Sequence, residues 1–552
     1  MKEFKNITRG GPGPCGFLCG ALCKLRGRDI AMIKKVAGKF KHKSRNSEIL
    51  NQPEPRHFDF ELQKSLHYNI ELIKEIFKGD QTLRIRVMQN KWLKSAEFCV
   101  FYIDGMVNIE IVNENIIQPV VSNNLKEYIE CDNLLKEIKD KVINVNSADC
   151  ESNINKIVSA IIDGDSVMFM EGFREALIID SKGWQTRAIT EPESARVVRG
   201  PREGFNEAIM VNLSLVRRKI RNPDLKFKFR ELGERTRTKV CICYMEELSM
   251  EGVLEELEDR LDKIKIDGII DSGYIQELIK DAPYSPYETV GFSERPDVVA
   301  AKLLEGRVAL FVDGSPFVLT VPYLVVENFQ ANEDYYNNYI FASINRLIRG
   351  FTAVTSITIP AVFLSLVTFH HEMLPTPLLL SISASRQGVP LPTALSLFMM
   401  LFIFDILREV GTRMPSPIGQ AVNIVGTLVL GQAAVEAKLV SAPVIIITAL
   451  TGIMTLLNMN FMGATIIFRT VLLLGASFMG IYGCLIGIII IYLHLMSIRS
   501  FNVPYMMNLT RSKDHDGQDA WIRAPWWRMT LRPKILGEKN LVRQSAKKSK
   551  VK

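Results

Sequence analysis

Between residues 350 and 496 the chain is overwhelmingly apolar, whereas residues 57–345 are mixed and charged. A step of that size marks a water-soluble region followed by a membrane region, because about 20 consecutive apolar residues are enough to cross a bilayer. Spans are predicted near 351–369, 391–407, 418–437, 439–457 and 465–496. The last is longer than one crossing needs, so it tilts, runs beyond the bilayer, or breaks at Gly480 and Gly483. The first begins after "NRLIRG", which puts Arg346 and Arg349 at the interface.

Charge divides the chain in a second way. Residues 1–56 carry 13 Lys+Arg against 4 Asp+Glu, and residues 497–552 carry the same 13 against 4. The whole chain is +8, so the centre is about −10 by difference. Basic flanks beside apolar spans stay on the cytoplasmic side and attract anionic lipid. Nucleic acid is not an expected partner, since no recognition motif accompanies the basic residues. Five spans would put the two basic ends on opposite sides, while the charge rule asks for an even count. Either 465–496 is a hairpin or "LPTPLLLSISASRQ" enters the membrane without a simple crossing. Trp526 and Trp527 in the basic tail are candidates for an interfacial anchor.

The domain expectation is a flexible basic arm (1–56), a soluble α/β region of two subdomains (57–345), a multi-span helical domain (346–497) and a basic soluble tail (498–552). The fold class is α+β followed by a multi-pass α-helical membrane domain. Soluble strands are predicted near 98–103, 108–112, 167–171, 176–180, 239–244, 308–312 and 317–320, with helices at 125–140, 152–162, 205–221, 250–263 and 273–280. "CVFYIDGMV", "VMFMEGFRE" and "VALFVDGSP" resemble one another, each a β-rich run ending in an acidic residue and glycine. Asp104, Glu171 and Asp313 therefore read as turn residues rather than catalytic acids.

No catalytic signature is present: no phosphate loop, no nucleophile elbow, no zinc-binding H-E-x-x-H. Neither a metal, a cofactor nor an enzymatic activity is expected. Cys15, Cys19 and Cys23 lack the close pairs and His partners of a zinc site. Polar residues at membrane depth say more. Ile418–Ala437 contains Gln420, Asn423, Thr427 and Gln432 among small residues, and Gln420, Asn423 and Thr427 share a helical stripe. One reading is helix packing through interhelical hydrogen bonds. The other is a pore-lining helix around an oligomer axis, with Val425 on the opposite arc as a candidate gate. Just before it, Asp405, Arg408, Glu409 and Arg413 form a candidate coupling corner, with i,i+3 and i,i+4 partners that neutralise one another. In "VVRGPREGF", Arg199, Arg202, Glu203 and Gly204 read as a salt-bridged turn, because Glu203 would repel a phosphate.

These stretches resemble, in order and spacing, the A subunit of the GerA-type spore germination receptors. The likeness rests on "KGWQTRAITEPESARVVRGPREGFNEAIMVNLSLVRRKIRNPDLKF", "SERPDVVAAKLLEGRVALFVDGSPFVLTVP", "FHHEMLPTPLLLSI" and "REVGTRMPSPIGQAVNIVGTLVLGQAAVEAKLVSAP". It spans roughly residues 60–535. The resemblance implies a multi-pass subunit of the spore inner membrane, with its soluble domain and tail on the core side. It implies work with a transporter-like B subunit and a lipoprotein C subunit. It also implies oligomers that open a cation path on a nutrient signal. A scaffold without its own pore, or a paralogue that amplifies germination beside a dipicolinate channel, are the alternatives.

Overall fold

The computed structural model describes residues 58–543, apart from 94–95, 126–133, 146, 184–191, 193–194, 196, 415–430, 508–518 and 533–539. The basic arm, with Cys15, Cys19 and Cys23, lies outside the described residues.

Two five-stranded sheets come first. One contains β1 (Leu83–Gln89), β2 (Glu97–Ile103), β3 (Ala148–Glu151), β4 (Ser166–Met170) and β5 (Ala176–Ile179) in the order β1-β2-β4-β5-β3. The other contains β6 (Leu225–Leu232), β7 (Thr238–Met245), β8 (Gly291–Ser293), β9 (Val308–Val312) and β10 (Val318–Val321) in the order β6-β7-β9-β10-β8. Every neighbouring pair in both is antiparallel. The two sheets therefore share one topology. Strands β4 and β9 are buried along their whole length, as continuous apolar runs require.

The helices repeat with the sheets. In the first half, α1 (Leu66–Ile76) and α2 (Ile154–Asp163) bury Ile70, Ile73, Ile157 and Ile161 on one face of the sheet. In the second, α3 (Ile209–Lys219) and α6 (Pro296–Leu303) do so with Leu213, Val216, Val299 and Leu303. Between them in sequence, α4 (Glu251–Lys263) and α5 (Ser272–Ile279) cover the opposite face of the second sheet. Asn69 and Asn212 hold matching places: each amide folds back onto both backbone groups of a residue six earlier, Gln63 and Asn206. Glu171 and Asp313, in the turns after β4 and β9, accept from the first helical N–H of α1 (Leu66, 2.6 Å) and α3 (Ile209, 3.2 Å). The acidic-glycine turns are thus helix caps donated from the sheet, where negative charge meets the positive helix end. Asp104 instead pairs with Arg84 across β1 and β2 at 2.9 Å. Gly105, Gly172 and Gly314 have φ of +81°, +92° and +85°, which makes glycine the residue these turns need.

The predicted strand at 108–112 is instead the start of a helical run that continues through Ile111–Ile117 and Gln118–Ser122. Asn108 accepts from Glu110 N–H at 3.0 Å and starts it, and Val112, Ile116 and Val120 bury at helical spacing. The apparent alternation of "MVNIEIV" gives way to that stripe.

The apolar region is helical: α7 (Tyr339–Thr368), α8 (Thr376–Ser385), α9 (Thr393–Arg413), α10 (Ala442–Leu456), α11 (Met462–Met479) and α12 (Ile481–Ser497). Two helices among the described residues are long and apolar enough to cross a membrane, α7 and the Met459–Met479 run that contains α11; α8, α10 and α12 are shorter apolar helices. The predicted span at 465–496 is two helices. Gly480, at φ +59° and ψ −135°, turns the chain between α11 and α12. Gly475 and Gly483 then let the two backbones meet, and a Cβ on Gly483 would overlap the Gly475 carbonyl. Gly480→Ala is expected to destabilise this hairpin by about 1–3 kcal/mol, since only glycine tolerates that backbone. Thermal unfolding of the full chain in detergent measures it, and an unchanged midpoint would show the turn to be unstrained.

Contacts fix which ends lie together. Asn458, after α10, donates to Thr352 near the start of α7 at 3.0 Å. At the other end, a Cβ on Gly480 would lie 3.0 Å from Phe369, which follows α7.

Candidate functional site

The start of α7 is where the sheets, the helices and the tail meet. Its spacing of three puts Arg346 and Arg349 on one face. The 3-10 turn Asn332–Tyr335 brings Asp334 beneath them. One Asp334 oxygen accepts from Arg346 Nε at 2.8 Å and Arg349 Nη2 at 2.5 Å. Arg346 Nη1 donates at 2.7 Å to both the carboxylate and the carbonyl of Asp519, in the tail. Tyr335 adds a hydroxyl to Asp519 at 2.6 Å. Arg346 is 0% exposed, so it does not sit at a headgroup interface as the sequence predicts. Two cations and two carboxylates make the cluster neutral, which burial of this kind requires.

An aromatic seam surrounds it. Phe329 stacks on Phe461 at 5.2 Å and on Trp521 at 5.5 Å. Tyr287 stacks on Phe468 of α11 at 5.1 Å, and its neighbour Ser285 meets His494 of α12 at 2.9 Å. Trp521 lies where a Cβ on Gly350 would be, so this glycine admits the tail. Phe501, Val503, Met507 and Ala520 continue into the core of the second sheet.

The "VVRGPREGF" loop feeds the same joint. Arg295, of "SERPD", donates to Ala195 O at 3.0 Å and Pro201 O at 2.6 Å while pairing with Asp297. Asp297 also accepts from Asn332 at 2.6 Å and Tyr336 at 2.7 Å. Burial alone would raise the Asp297 carboxyl, but the Arg295, Tyr336 and Asn332 hydrogen bonds outweigh it and hold it below the usual carboxylate range. Gly200, at φ +141°, lets the loop lie against the Tyr336 ring. The expected partnering of Glu203 with Arg199 and Arg202 is corrected: Glu203 reaches Lys219 at 2.9 Å and Arg218 at 3.7 Å, at the end of α3. Arg199 and Arg202 are exposed, and Gly204 is buried. The first N–H of α3 is taken by Asp313, so no phosphate cradle forms there.

In the helical region, Asp405 pairs with Arg408 at 3.1 Å and Glu409 with Arg413 at 2.7 Å. The corner does not neutralise itself, however. Arg469 of α11, 2% exposed, reaches Asp405 at 2.6 Å, leaving three cations for two acids. Sequence spacing within one helix could not signal this cross-helix partner, although a lone arginine in an apolar run is a signal by itself. Of the candidate pore residues, Gln432 is exposed, and Gln420, Asn423, Val425 and Thr427 lie outside the described residues. Among the described residues, no group of three or more His, Cys, Asp or Glu could hold a metal ion.

The sequence matches the Bacillus/Clostridium GerA spore germination protein family over residues 71–535. It is 39% identical over 485 residues to spore germination protein KA of Bacillus subtilis (strain 168), covering 88% of this chain and 89% of that protein. It is 38% identical over 436 residues to the uncharacterized membrane protein YfkQ of the same organism, covering 79% and 84%. A crystal structure of the N-terminal domain of the A subunit of the Bacillus megaterium spore germinant receptor GerK3 is 30% identical, with a TM-score of 0.35, covering 48% of this chain and 97% of that one. The extent of the family match and the identity to the KA protein place this chain in the GerA spore germination protein family.

Proposed function

We propose that this chain is the membrane-embedded A subunit of a spore germinant receptor. In this reading it oligomerises into a nutrient-gated cation channel in the spore inner membrane, beside a transporter-like B subunit and a lipoprotein C subunit. The observation that carries the reading is the buried Arg346–Asp334–Asp519 cluster, which welds the sheet-bearing region and the tail to the first long apolar helix. A movement in the sheets is then delivered directly to α7. The Gly480 turn makes 465–496 a hairpin, so with residues 414–437 as a further crossing the count becomes six. Both basic ends then lie on the core side, as the charge rule asks. Asp405–Arg469 ties α9, which leads into that crossing, to α11.

Single cysteines at Gln420, Asn423, Val425, Thr427 and Gln432 test the pore. A small aqueous thiol reagent is expected to reach the stripe of Gln420, Asn423 and Thr427 more rapidly after nutrient addition, and their modification to change ion release. If no position reacts in resting or stimulated spores, the pore assignment is wrong. If Asn423→Leu and Thr427→Val disturb assembly while ion flux persists, the chain is a scaffold.

A further inference from the structure

The tail that closes the joint has a second, outward face. Its 3-10 turn Trp526–Arg528 is exposed: Trp527 is 68% and Trp526 41% exposed, and Ile522 nearby is 61% exposed. Four large apolar side chains in seven residues, Trp521 included, are left at the surface of a basic, otherwise polar segment. They are not loose. Arg523 N–H donates to Ser343 of α7 at 3.1 Å, and its guanidinium reaches Asn337 O at 3.4 Å. Trp526 is held from behind, its ring N–H on Tyr335 O at 3.4 Å and the guanidinium of Arg543 5.4 Å from its ring. The turn therefore presents Trp527 and Arg528 from a fixed mount.

The mount adjoins the exposed apolar flank of α7. Trp527 meets Tyr339, the first residue of α7, edge to face at 5.7 Å. From there Ile340, Ile344, Leu347 and Phe351 run down that helix as one exposed stripe. In a membrane-embedded chain this stripe meets acyl tails, and the level of Tyr339 and Trp527 is the level of the headgroups. Trp and Tyr rings favour that zone because one part of the ring is apolar and another donates a hydrogen bond. An arginine beside them meets lipid phosphate, and the net positive charge of the tail adds attraction to an anionic leaflet.

We propose that the Trp526–Arg528 turn, with Ile522, is a docking surface for the headgroup layer of anionic phospholipid. The proposal rests on the membrane reading given above. It makes the lipid layer a third party to the joint, bound by the outer face of the same segment whose inner face carries Asp519.

The test uses the full chain in nanodiscs of phosphatidylcholine, alone or with phosphatidylglycerol, whose acyl chains are brominated near the headgroup. Brominated lipid is expected to quench the wild-type tryptophan emission, and Trp527→Phe to lose that quenched component. Emission from Trp527 is expected to shift to the blue with phosphatidylglycerol, and Arg528→Glu to abolish the shift. Phe351→Trp in the Trp527→Phe background reports the membrane contact of α7 separately. Quenching at 351 without quenching at 527 overturns the docking surface and leaves the membrane reading standing. Absence of quenching at both overturns both. Blue-shifted but unquenched Trp527 means a protein surface covers the turn, which also overturns the proposal. Equal quenching without the phosphatidylglycerol shift overturns the preference for anionic lipid.

Discussion

Arg346→Ala is expected to cost about 3–5 kcal/mol, the range for removing one member of a buried ion pair. The penalty comes from what remains. Asp519 loses its only ionic partner described here, and Asp334 is left with Arg349 alone. Both carboxylates are held in place by other bonds: Asp334 by Ala331 N–H and Asp519 by the Tyr335 hydroxyl. They cannot simply swing to water. Arg346→Lys is expected to recover only part of the loss, because an ammonium cannot serve two carboxylates through a planar fork. Thermal unfolding of the detergent-solubilised chain, with protease sensitivity of the tail as a second reading, decides it. A midpoint within the range of a surface substitution would show that the cluster does not hold the joint.

The second large effect is expected between the two sheets. Arg217 of α3, 1% exposed, donates to Asp80 in the first half at 2.5 Å and to Leu225 O at 3.3 Å. Its guanidinium lies 4.7 Å from the ring centre of Phe227. Asp80 is fixed in turn by the N–H and hydroxyl of Thr82. Alongside, Gln81 N–H donates to Phe227 O at 3.0 Å, so the halves are also joined through backbone. Arg217→Met keeps most of the packing volume but strands the Asp80 charge, again at about 3–5 kcal/mol. Replacing both, Asp80→Leu with Arg217→Met, is expected to restore much of the stability, because no buried charge is left unpaired. Urea unfolding of the single and double variants separates the cases. Equal losses in both would mean that shape, not charge, sets the cost.

Much of the soluble fold was legible because its central strands are short continuous apolar runs. "VMFMEG" and "VALFVDG" carry both strand and turn in six or seven letters, and the latter lies on β9 as predicted. The edge strands were missed, although "LRIRVMQ" and "LKFKFREL" alternate with a period of two. Their arginines and lysines look like a solvated loop until a partner strand covers one face. The joint was illegible for a different reason. Arg346, Asp334 and Asp519 are separated by up to 185 positions, and no local spacing announces that they touch. For Arg295, the signal was the motif "SERPD", but not the loop it holds. The partner of Asp405 stood alone in "IIFRTVLLL", where a single arginine in an apolar run asks for a carboxylate elsewhere.

The second sheet is finished by residues made long after its strands. Phe501, Val503, Met507 and Ala520 belong to its core, and all follow the last apolar helix. A ribosome completes β6 to β10 well before the chain reaches these residues, with the whole helical region translated in between. Final closure of the sheet onto the bundle therefore waits until every helix has been synthesised. A chain that stalls midway lacks the Asp519 carboxylate and four core side chains, and exposes apolar surface that quality-control proteases can find. The fold thus carries its own proofreading of biogenesis: the last-made segment certifies that the rest is present.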